Sequence, residues 1–557
     1  MRVLVGLFLV GALGPLCAGE LPSPTGEFAF AARAGEEVAE GVAWVRREAT
    51  GLVLEQTWPA RVEIALAVDA RGELRGAAPL QAGFTAQLLG AEREALRFEV
   101  RLRANGPGYV GAWRTTRDGR TLASGTASWR QSRAEALSPL AAAIRAAVEP
   151  VAGRGTVPAR SVFSRGRPEP DALVRGPAVF GRMAELIAGA EREVLFLTYT
   201  WEAECGPSLR IAAALRELAA RRKASGGPPV RAWFVVNGGL FAKRTAIQSM
   251  RRDLAGLDLA PWVDVRLVRH EHLAFGALHT KSLVVDGRVA LVSGANPEAK
   301  HDGERPWHDL GFVVHGQAAY AAREDFAQVW RKTTGEELPE VPLPAAHPAD
   351  VPVFAISRRG QGNPLRRSIR DPQGQAYLAA IEHAQRSIRI LTPNLNYRPL
   401  MEALARAAAR GVHVQLVLSR GFNSDAENRP LQGGCNDTTV GWLQERAQAL
   451  GIGPGLLDPR WYSQDGAAPL EGNGPGASHA KYLSVDDAVV LVGSTNLDTQ
   501  SLVHSRELDF LVDDVATTRA WDARVFLPAW ERAIPAGGRP ARTLPPPLAP
   551  LPPPVTR

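Results

Sequence analysis

Cysteine is nearly absent: there are three in 557 residues, Cys17 near the start and then only Cys205 and Cys435. A disulfide-stapled scaffold is excluded, and what remains is one possible bridge between Cys205 and Cys435 or two isolated thiols. Lysine is scarce as well, six against a large majority of arginines. Beyond the N-terminus no stretch reaches the roughly 18 uninterrupted apolar residues that a membrane-spanning helix requires. Strong charge imbalance is also missing. A net +7, carried almost wholly by arginine, leans toward anionic partners such as phospholipid headgroups or nucleic acid, and is equally a device of solubility.

At the N-terminus Met1-Arg2 precedes an apolar run from Val3 to Leu16, with Ala18 and Gly19 before Glu20. This is the order of a signal peptide over residues 1–19, and it predicts a secreted or periplasmic protein, soluble or peripheral once cleaved. Gly14-Pro15-Leu16 ahead of Cys17 is a poor lipoprotein signal, so simple cleavage nearby is the expectation.

Residues 26–135 read as a small β-rich domain. Leu96 to Arg103 alternates apolar and charged residues, Val62, Ile64, Leu66 and Val68 repeat the pattern, and Asp118-Gly119 is a hairpin signal. Its Trp44, Trp58, Trp113 and Trp129 suit core packing better than a ligand platform. No chemistry is assigned to it.

Beyond residue 150 helices alternate with short apolar strands, the texture of α/β layers. An internal repeat follows: Ala190 to Thr198 matches Ala384 to Thr392, each copy continuing into an amphipathic helix (Leu209 to Arg222, Leu400 to Arg410) and an apolar strand (Val230 to Val236, Val412 to Leu418). Both copies close on an aromatic pair, Phe326 with Trp330 and Phe526 with Trp530. The expected architecture is two pseudo-twofold-related lobes of mixed β-sheet flanked by helices, at 160–337 and 351–535. A Pro-rich linker at 338–350 joins them, and 538–557 is a Pro-rich disordered tail.

The chemistry lies in the repeat. His279-Thr280-Lys281, Asp286 and Ser293-Gly294-Ala295-Asn296 recur at identical spacing as His479-Ala480-Lys481, Asp486 and Gly493-Ser494-Thr495-Asn496. On a strand, residues i and i+2 share a face, so each histidine points with its lysine. A neutral imidazole can attack phosphorus, and an ammonium beside it neutralises charge on the phosphoryl oxygens. The asparagine amides add hydrogen bonds. One lobe supplies half a site; two lobes about a pseudo-twofold axis place two histidines on opposite sides of one phosphate. Two of the six lysines stand in these motifs, which is difficult to assign to chance.

These motifs resemble the twin HKD motifs of the phospholipase D superfamily, over roughly residues 170–535, and the second lobe looks most like the cardiolipin synthase and bacterial phospholipase D branches. The resemblance implies a phosphodiesterase in which His279 becomes the phosphohistidine. His479 would serve as general acid and then base, and Lys281, Lys481, Asn296 and Asn496 would bind phosphoryl oxygens. It implies no metal or other cofactor. It also implies a downstream acid orienting a catalytic imidazole, which Glu507 matches in the second copy and Asp309 in the first. Asp286 and Asp486 are expected to make structural hydrogen bonds at turns, with Ser494 supporting the second motif. Ser293 stands where the family has a first small glycine, and Gln500 and Ser505 stand where cardiolipin synthases carry Arg and Asn. His270-x-His272 lacks a third ligand.

The expected substrate is phospholipid at a membrane surface, hydrolysed or transphosphatidylated by a peripheral protein acting as a monomer, since both motifs share one chain. A secreted nuclease is the enzymatic alternative, less favoured because no basic, aromatic-interleaved groove surrounds either motif. A non-catalytic lipid-binding envelope protein is the third reading. The Gly-, Asn- and Asp-rich stretch Gly421 to Ser478 reads as a long insertion, either overhanging the cleft or solvated.

Overall fold

The computed structural model describes eight strands between residues 26 and 131, and residues 137–536 apart from 240–244, 255, 273–274, 364 and 366–368. The signal-peptide segment, the Pro-rich tail, the Asp118-Gly119 turn, Trp58 and the side chains of Trp44, Trp113 and Trp129 lie outside the described residues. Two compact units result, Met1–Ala136 and Leu137–Arg557.

In the first unit, successive antiparallel strands run from Gly26–Ala34 to Arg120–Gln131 and close into an eight-stranded barrel, the last pairing with the first. The alternating segments lie within Val62–Val68 and Leu96–Asn105. Closure leaves no unpaired edge between the first and last strands.

The second unit is one sixteen-stranded sheet whose order reads the same outward from its middle. At the centre Phe163–Pro168 pairs antiparallel with Val351–Arg358, Phe163 opposite Phe354, their rings edge to face at 5.0 Å. Outward through lobe one come Leu310–His315, Val289–Ser293, Ser282–Val285, Glu193–Thr198, Val230–Asn237 and Val263–His270. Lobe two repeats this with Glu507–Asp513, Val489–Gly493, Tyr482–Val485, Ser387–Thr392, His413–Leu418 and Leu457–Trp461. The outer three strands of each lobe are parallel and the inner ones antiparallel. Glu193–Thr198 is buried along its whole length, as expected of a strand covered on both faces. The helix Gly206–Ser225, with Pro207 in its first turn and Gly226 at φ 71° ending it, makes the crossover that a parallel pair needs.

The stretch Gly421 to Ser478 is not one long insertion. Asn436–Ala449 is a helix and Leu457–Trp461 a strand, the counterparts of Thr245–Leu254 and Val263–His270 in lobe one. The remainder, apart from the short helix Ser424–Glu427, is irregular. The aromatic pairs stack, Phe326 with Trp330 at 5.9 Å and Phe526 with Trp530 at 5.7 Å. The first pair sits on a continuous helix, Gln317–Thr334. The second follows a π turn, Asp522–Phe526, where Pro528 offers no N–H to continue the α pattern. The Pro-rich stretch at 338–350 has no regular structure, yet it is strapped down by buried Val341 and by Arg323 Nη2 donating to Pro339 O at 2.5 Å. Cys205 and Cys435 are free thiols, each N-capping a helix of a different lobe. Among the described residues no helix is long and apolar enough to cross a membrane.

Candidate active site

In each lobe the motif histidine and lysine precede one strand of a hairpin and the asparagine follows the other. The turn between them starts at Asp286 (φ 55°) and Gly287 (φ 65°), or at Asp486 (φ 57°) and Asp487 (φ 54°). Asp286 accepts from the backbone N–H groups of Glu191, Arg192 and Glu193 at 2.7–2.9 Å. Asp486 does the same for Gln385, Arg386 and Ser387 at 2.7–2.9 Å. Both carboxylates therefore fasten the hairpin to the start of the neighbouring strand, remote from any proton transfer.

The lobes interlock at the histidines. A parallel bridge pairs Leu278 with Arg506, and its symmetry mate pairs Ser478 with His308. His279 N donates to Arg506 O (3.0 Å) and His479 N to His308 O (2.9 Å). Each bridge places a motif histidine beside the next residue of the other lobe. His279 Nδ1 lies 2.7 Å from Glu507 Oε1, and His479 Nδ1 lies 2.7 Å from Asp309 Oδ2. Both acids are thus paired across the lobe boundary. A carboxylate acceptor fixes the proton on Nδ1 and leaves the Nε2 lone pair open. Arg506 secures the first bridge, with Nη1 donating to Thr280 Oγ1 (3.2 Å) and an ion pair to buried Asp325 (2.8 Å).

Lys281 Nζ donates to His279 O at 2.6 Å and Lys481 Nζ to His479 O at 2.5 Å, which ties each ammonium to its own histidine. Burial pulls Lys281 down to about 7 and Lys481 to about 8, with Glu507 and Asp309 opposing. Burial likewise lowers His279 and His479, with Lys281 and Lys481 adding repulsion at each and Glu507 opposing at His279. Each lysine therefore acts on the opposite imidazole, so the two half-sites share one centre. Both shifts favour the neutral imidazole. Burial pushes Glu507 up, but His279, Lys281 and the Ser494 hydroxyl outweigh it and hold the carboxyl low. Since a lysine binds phosphate only as the ammonium, anion affinity is present below these values and lost above them. The affinity for inorganic phosphate and kcat/KM should therefore fall as pH rises through 7 and 8. In contrast kcat, measured with the phosphodiester's charge in place, should hold to higher pH; a flat kcat/KM profile would contradict this.

The two half-sites differ in detail. Asn296 Oδ1 accepts from Thr198 Oγ1 (3.2 Å) and Tyr199 N (3.3 Å), and Asn296 Nδ2 donates to Glu298 (3.3 Å). Asn496 Nδ2 donates to Asp498 at 3.0 Å, but its Oδ1 is buried without a donor among the described residues. The position of Tyr199 is taken in lobe two by Pro393, which has no N–H. Behind Asp498, Glu427 is pushed up to about 9 by burial and by that aspartate, and is held by Asn394 (3.1 Å) and Asn396 (2.5 Å).

Ser293 fits because of its cross-strand partner. It faces Gly311, whereas Gly493 faces Asp509, and a Cβ on Gly493 would lie 2.2 Å from Asp509 Oδ1. Small and large residues have exchanged strands. Gly493→Ser alone is expected to cost about 1–3 kcal/mol and to recover part of it when combined with Asp509→Gly, as read by chemical denaturation. Next to it, Ser494 Oγ donates to Glu507 Oε2 at 2.5 Å. A Cβ at the equivalent Gly294 would lie 1.9 Å from Asp309 Oδ1, so Gly294→Ala should displace the carboxylate that holds His479.

The motif did not reveal the aromatic surroundings. Tyr199 meets the His279 ring edge-on at 5.5 Å, while Phe422 stacks on His479 at 5.4 Å and Trp307 lies at 5.6 Å. Of these only Trp307, two residues before Asp309, carried a positional signal. Gln500 reaches lobe one, its Nε2 donating to Phe275 O at 2.8 Å, and also bonds Ser505 at 3.0 Å. His270 Nδ1 is engaged by Thr333 Oγ1 at 2.7 Å. Among the described residues no cluster of three or more metal-ligating side chains occurs.

A two-fold sheet thus brings two His-Lys-Asn half-sites together, each histidine held by the other lobe's carboxylate. Residues 377–526 match the family described as cardiolipin synthase, PLD-like domain. The minor cardiolipin synthase of Bacillus subtilis is 25% identical over 50% of this chain and 61% of its own length. Cardiolipin synthase A of Pseudomonas fluorescens is 24% identical over 62% of this chain and 65% of its own. The chain thus spans under two thirds of the length of these relatives. The phosphatidylserine synthase of Haemophilus influenzae Rd KW20 superposes with a TM-score of 0.46 at 15% identity, covering 68% of this chain and 89% of that one. Residues 377–526 thus carry the match to a PLD-like domain, and the chain is similar to the cardiolipin synthases.

Proposed function

We propose that the protein is a phospholipase D-type enzyme that transfers a phosphatidyl group from a phospholipid headgroup to water or an alcohol. The observation that carries this reading is the crossed pairing of His279 with Glu507 and His479 with Asp309. It leaves two Nε2 atoms open around a centre that also holds Lys281 and Lys481. In the proposed cycle the phosphodiester anion enters between the lysines, relieves their repulsion on His479 and lets that ring take up a proton. His279 Nε2 attacks phosphorus, the P–O bond to the headgroup breaks, and His479 gives its proton to the departing oxygen. Water or an alcohol then loses its proton to His479 and attacks the phosphohistidine, which restores both rings. Asn296 and Asn496 border the phosphoryl oxygens, and Asn496 Oδ1, lacking a protein donor, suits a hydroxyl of the incoming alcohol.

The relatives, named as cardiolipin synthases, support a lipid substrate. The test is incubation with a phospholipid panel and with DNA, with and without glycerol and EDTA, products read by mass spectrometry. Phosphatidic acid, or phosphatidylglycerol when glycerol is added, is the expected result and should survive EDTA. Cut DNA with untouched lipid would assign the protein to nuclease chemistry. Export is proposed on the Met1 to Gly19 segment, to be checked by cell fractionation. Action as a monomer is proposed because one chain carries both half-sites, to be checked by sedimentation of active protein.

A further inference from the structure

Between Asn296 and Asp309 the chain carries a lysine that the catalytic cycle does not use. Ala299–His301 forms a single 3₁₀ turn, and from it Lys300 reaches over the Trp307 indole, its Nζ 4.2 Å from the ring centroid and 2.9 Å from Glu298 Oε2. Glu298 in turn accepts from Asn296 Nδ2 at 3.3 Å. The rest of the indole is packed, against His301 at 5.8 Å, Phe422 at 5.4 Å and His479 at 5.6 Å, and its Nε1 donates to Gly474 O at 3.0 Å. Lys300 and Trp307 line a cavity of about 580 Å³ together with Asp302, Glu304, Arg305 and Asn473. Most of these polar groups are engaged. Asp302 faces Arg210 at 3.4 Å, Arg305 Nη2 donates to Gln464 Oε1 at 3.2 Å, and Asn473 exchanges hydrogen bonds with Asn423. With Lys300 itself compensated by Glu298, the cavity presents no strong net charge; it presents an aromatic face on which a cation is already seated.

The cavity lies on the His479 side of the centre. In lobe two the places of Lys300 and Trp307 are taken by Gln500 and Ser505, which bond each other at 3.0 Å, so the equivalent position beside His279 has neither ammonium nor indole. This asymmetry gives the cavity to the group whose oxygen His479 handles, the departing headgroup and then the incoming alcohol. An indole face next to a carboxylate is the seat that a quaternary ammonium selects. Here a tethered cation fills that seat. A headgroup ending in an ammonium would have to lift Lys300 from the ring and break its pair with Glu298, which also holds Asn296. An uncharged, hydroxylated headgroup requires no such exchange, since hydroxyls can accept from Lys300 and Arg305 and donate to Glu304. Occupying a site against one ligand confers specificity as effectively as adding contacts to another.

We propose that Lys300, held on Trp307 by Glu298, is a specificity determinant of the headgroup side: it fills the aromatic seat, turns away choline-type headgroups and leaves the cavity to uncharged hydroxylated ones. This rests on the lipid reading of the active site and adds which headgroups that site admits. The test is calorimetric binding of two soluble phosphodiesters, glycerophosphoglycerol and glycerophosphocholine, to the full chain in a His279→Asn background, where neither is consumed. Lys300→Ala, which bares the indole face beside Glu298, should tighten glycerophosphocholine about tenfold and change glycerophosphoglycerol by less than about threefold. Lys300→Arg, which keeps a cation on the ring, should show no such gain. Lys300→Met, uncharged but long enough to cover the ring, should gain far less than Lys300→Ala. Lys300 is about one-third exposed, and retained binding of glycerophosphoglycerol establishes that each variant folds. An unchanged glycerophosphocholine affinity in Lys300→Ala overturns the proposal, as does an equal gain in Lys300→Met, which would reduce the effect to charge alone. Because the ligands are soluble and binding is read without turnover, a failure of the lipid reading would be registered separately, by the phospholipid panel.

Discussion

His279→Asn and His479→Asn should each lower turnover of a lipid substrate by at least about 10⁴, with the fold retained. Each ring, His279 partly exposed and His479 nearly buried, lies against a fully buried carboxylate. The asparagine amide keeps a donor near that carboxylate, so stability should fall only by about 1–3 kcal/mol, read as a denaturation midpoint. The pair separates when the leaving group is made easy. A p-nitrophenyl phosphodiester departs without a proton, so His479→Asn should still release one equivalent of nitrophenol, become labelled on His279, and stall because nothing activates water. His279→Asn should show neither burst nor label. The downward shift of both rings does not by itself divide the roles. The reverse pattern, with label on His479, would exchange them, and substantial turnover in both variants would sink the two-histidine mechanism.

What the sequence disclosed and what it withheld separate by range. The repeated His-x-Lys, the apolar runs of Ser282–Val285 and Val289–Ser293 and the following asparagine are local, and the repeat placed them in two copied lobes. The N-terminal alternation at Leu96 to Arg103 likewise marked a strand, while barrel closure, a pairing of Gly26–Ala34 with Arg120–Gln131, had no local signature. The helix Asn436–Ala449 was missed because its apolar positions are few, chiefly Val440, Trp442 and Leu443, and glycines, asparagines and aspartates crowd both flanks. Compensation between Ser293 and Gly311 could not be seen without the strand register. Nor could Phe422 and His479 be paired from sequence, because their contact depends on how an irregular segment folds back.

The crossed wiring has the second large consequence. Glu507 belongs to lobe two by sequence, yet Glu507→Gln should impair the same step as His279→Asn, less severely: kcat lower by roughly 10²–10⁴ and the burst with the activated substrate slowed. The substitution keeps shape and an oxygen for Nδ1–H while removing the charge that stabilises the imidazolium-like ring during attack. Asp309→Asn should instead reproduce His479→Asn, with a normal burst followed by slow turnover, because it weakens the ring that handles protons. The effects should be non-additive within each crossed pair, with His279→Asn/Glu507→Gln little worse than His279→Asn, and closer to additive between pairs on the single-turnover rate. The bridges Leu278–Arg506 and His308–Ser478 are what convert two half-motifs into this arrangement. If Asp309→Asn abolished the burst and Glu507→Gln spared it, each acid would be serving the histidine of its own lobe during the reaction, and the interlocked arrangement would not be the reacting one.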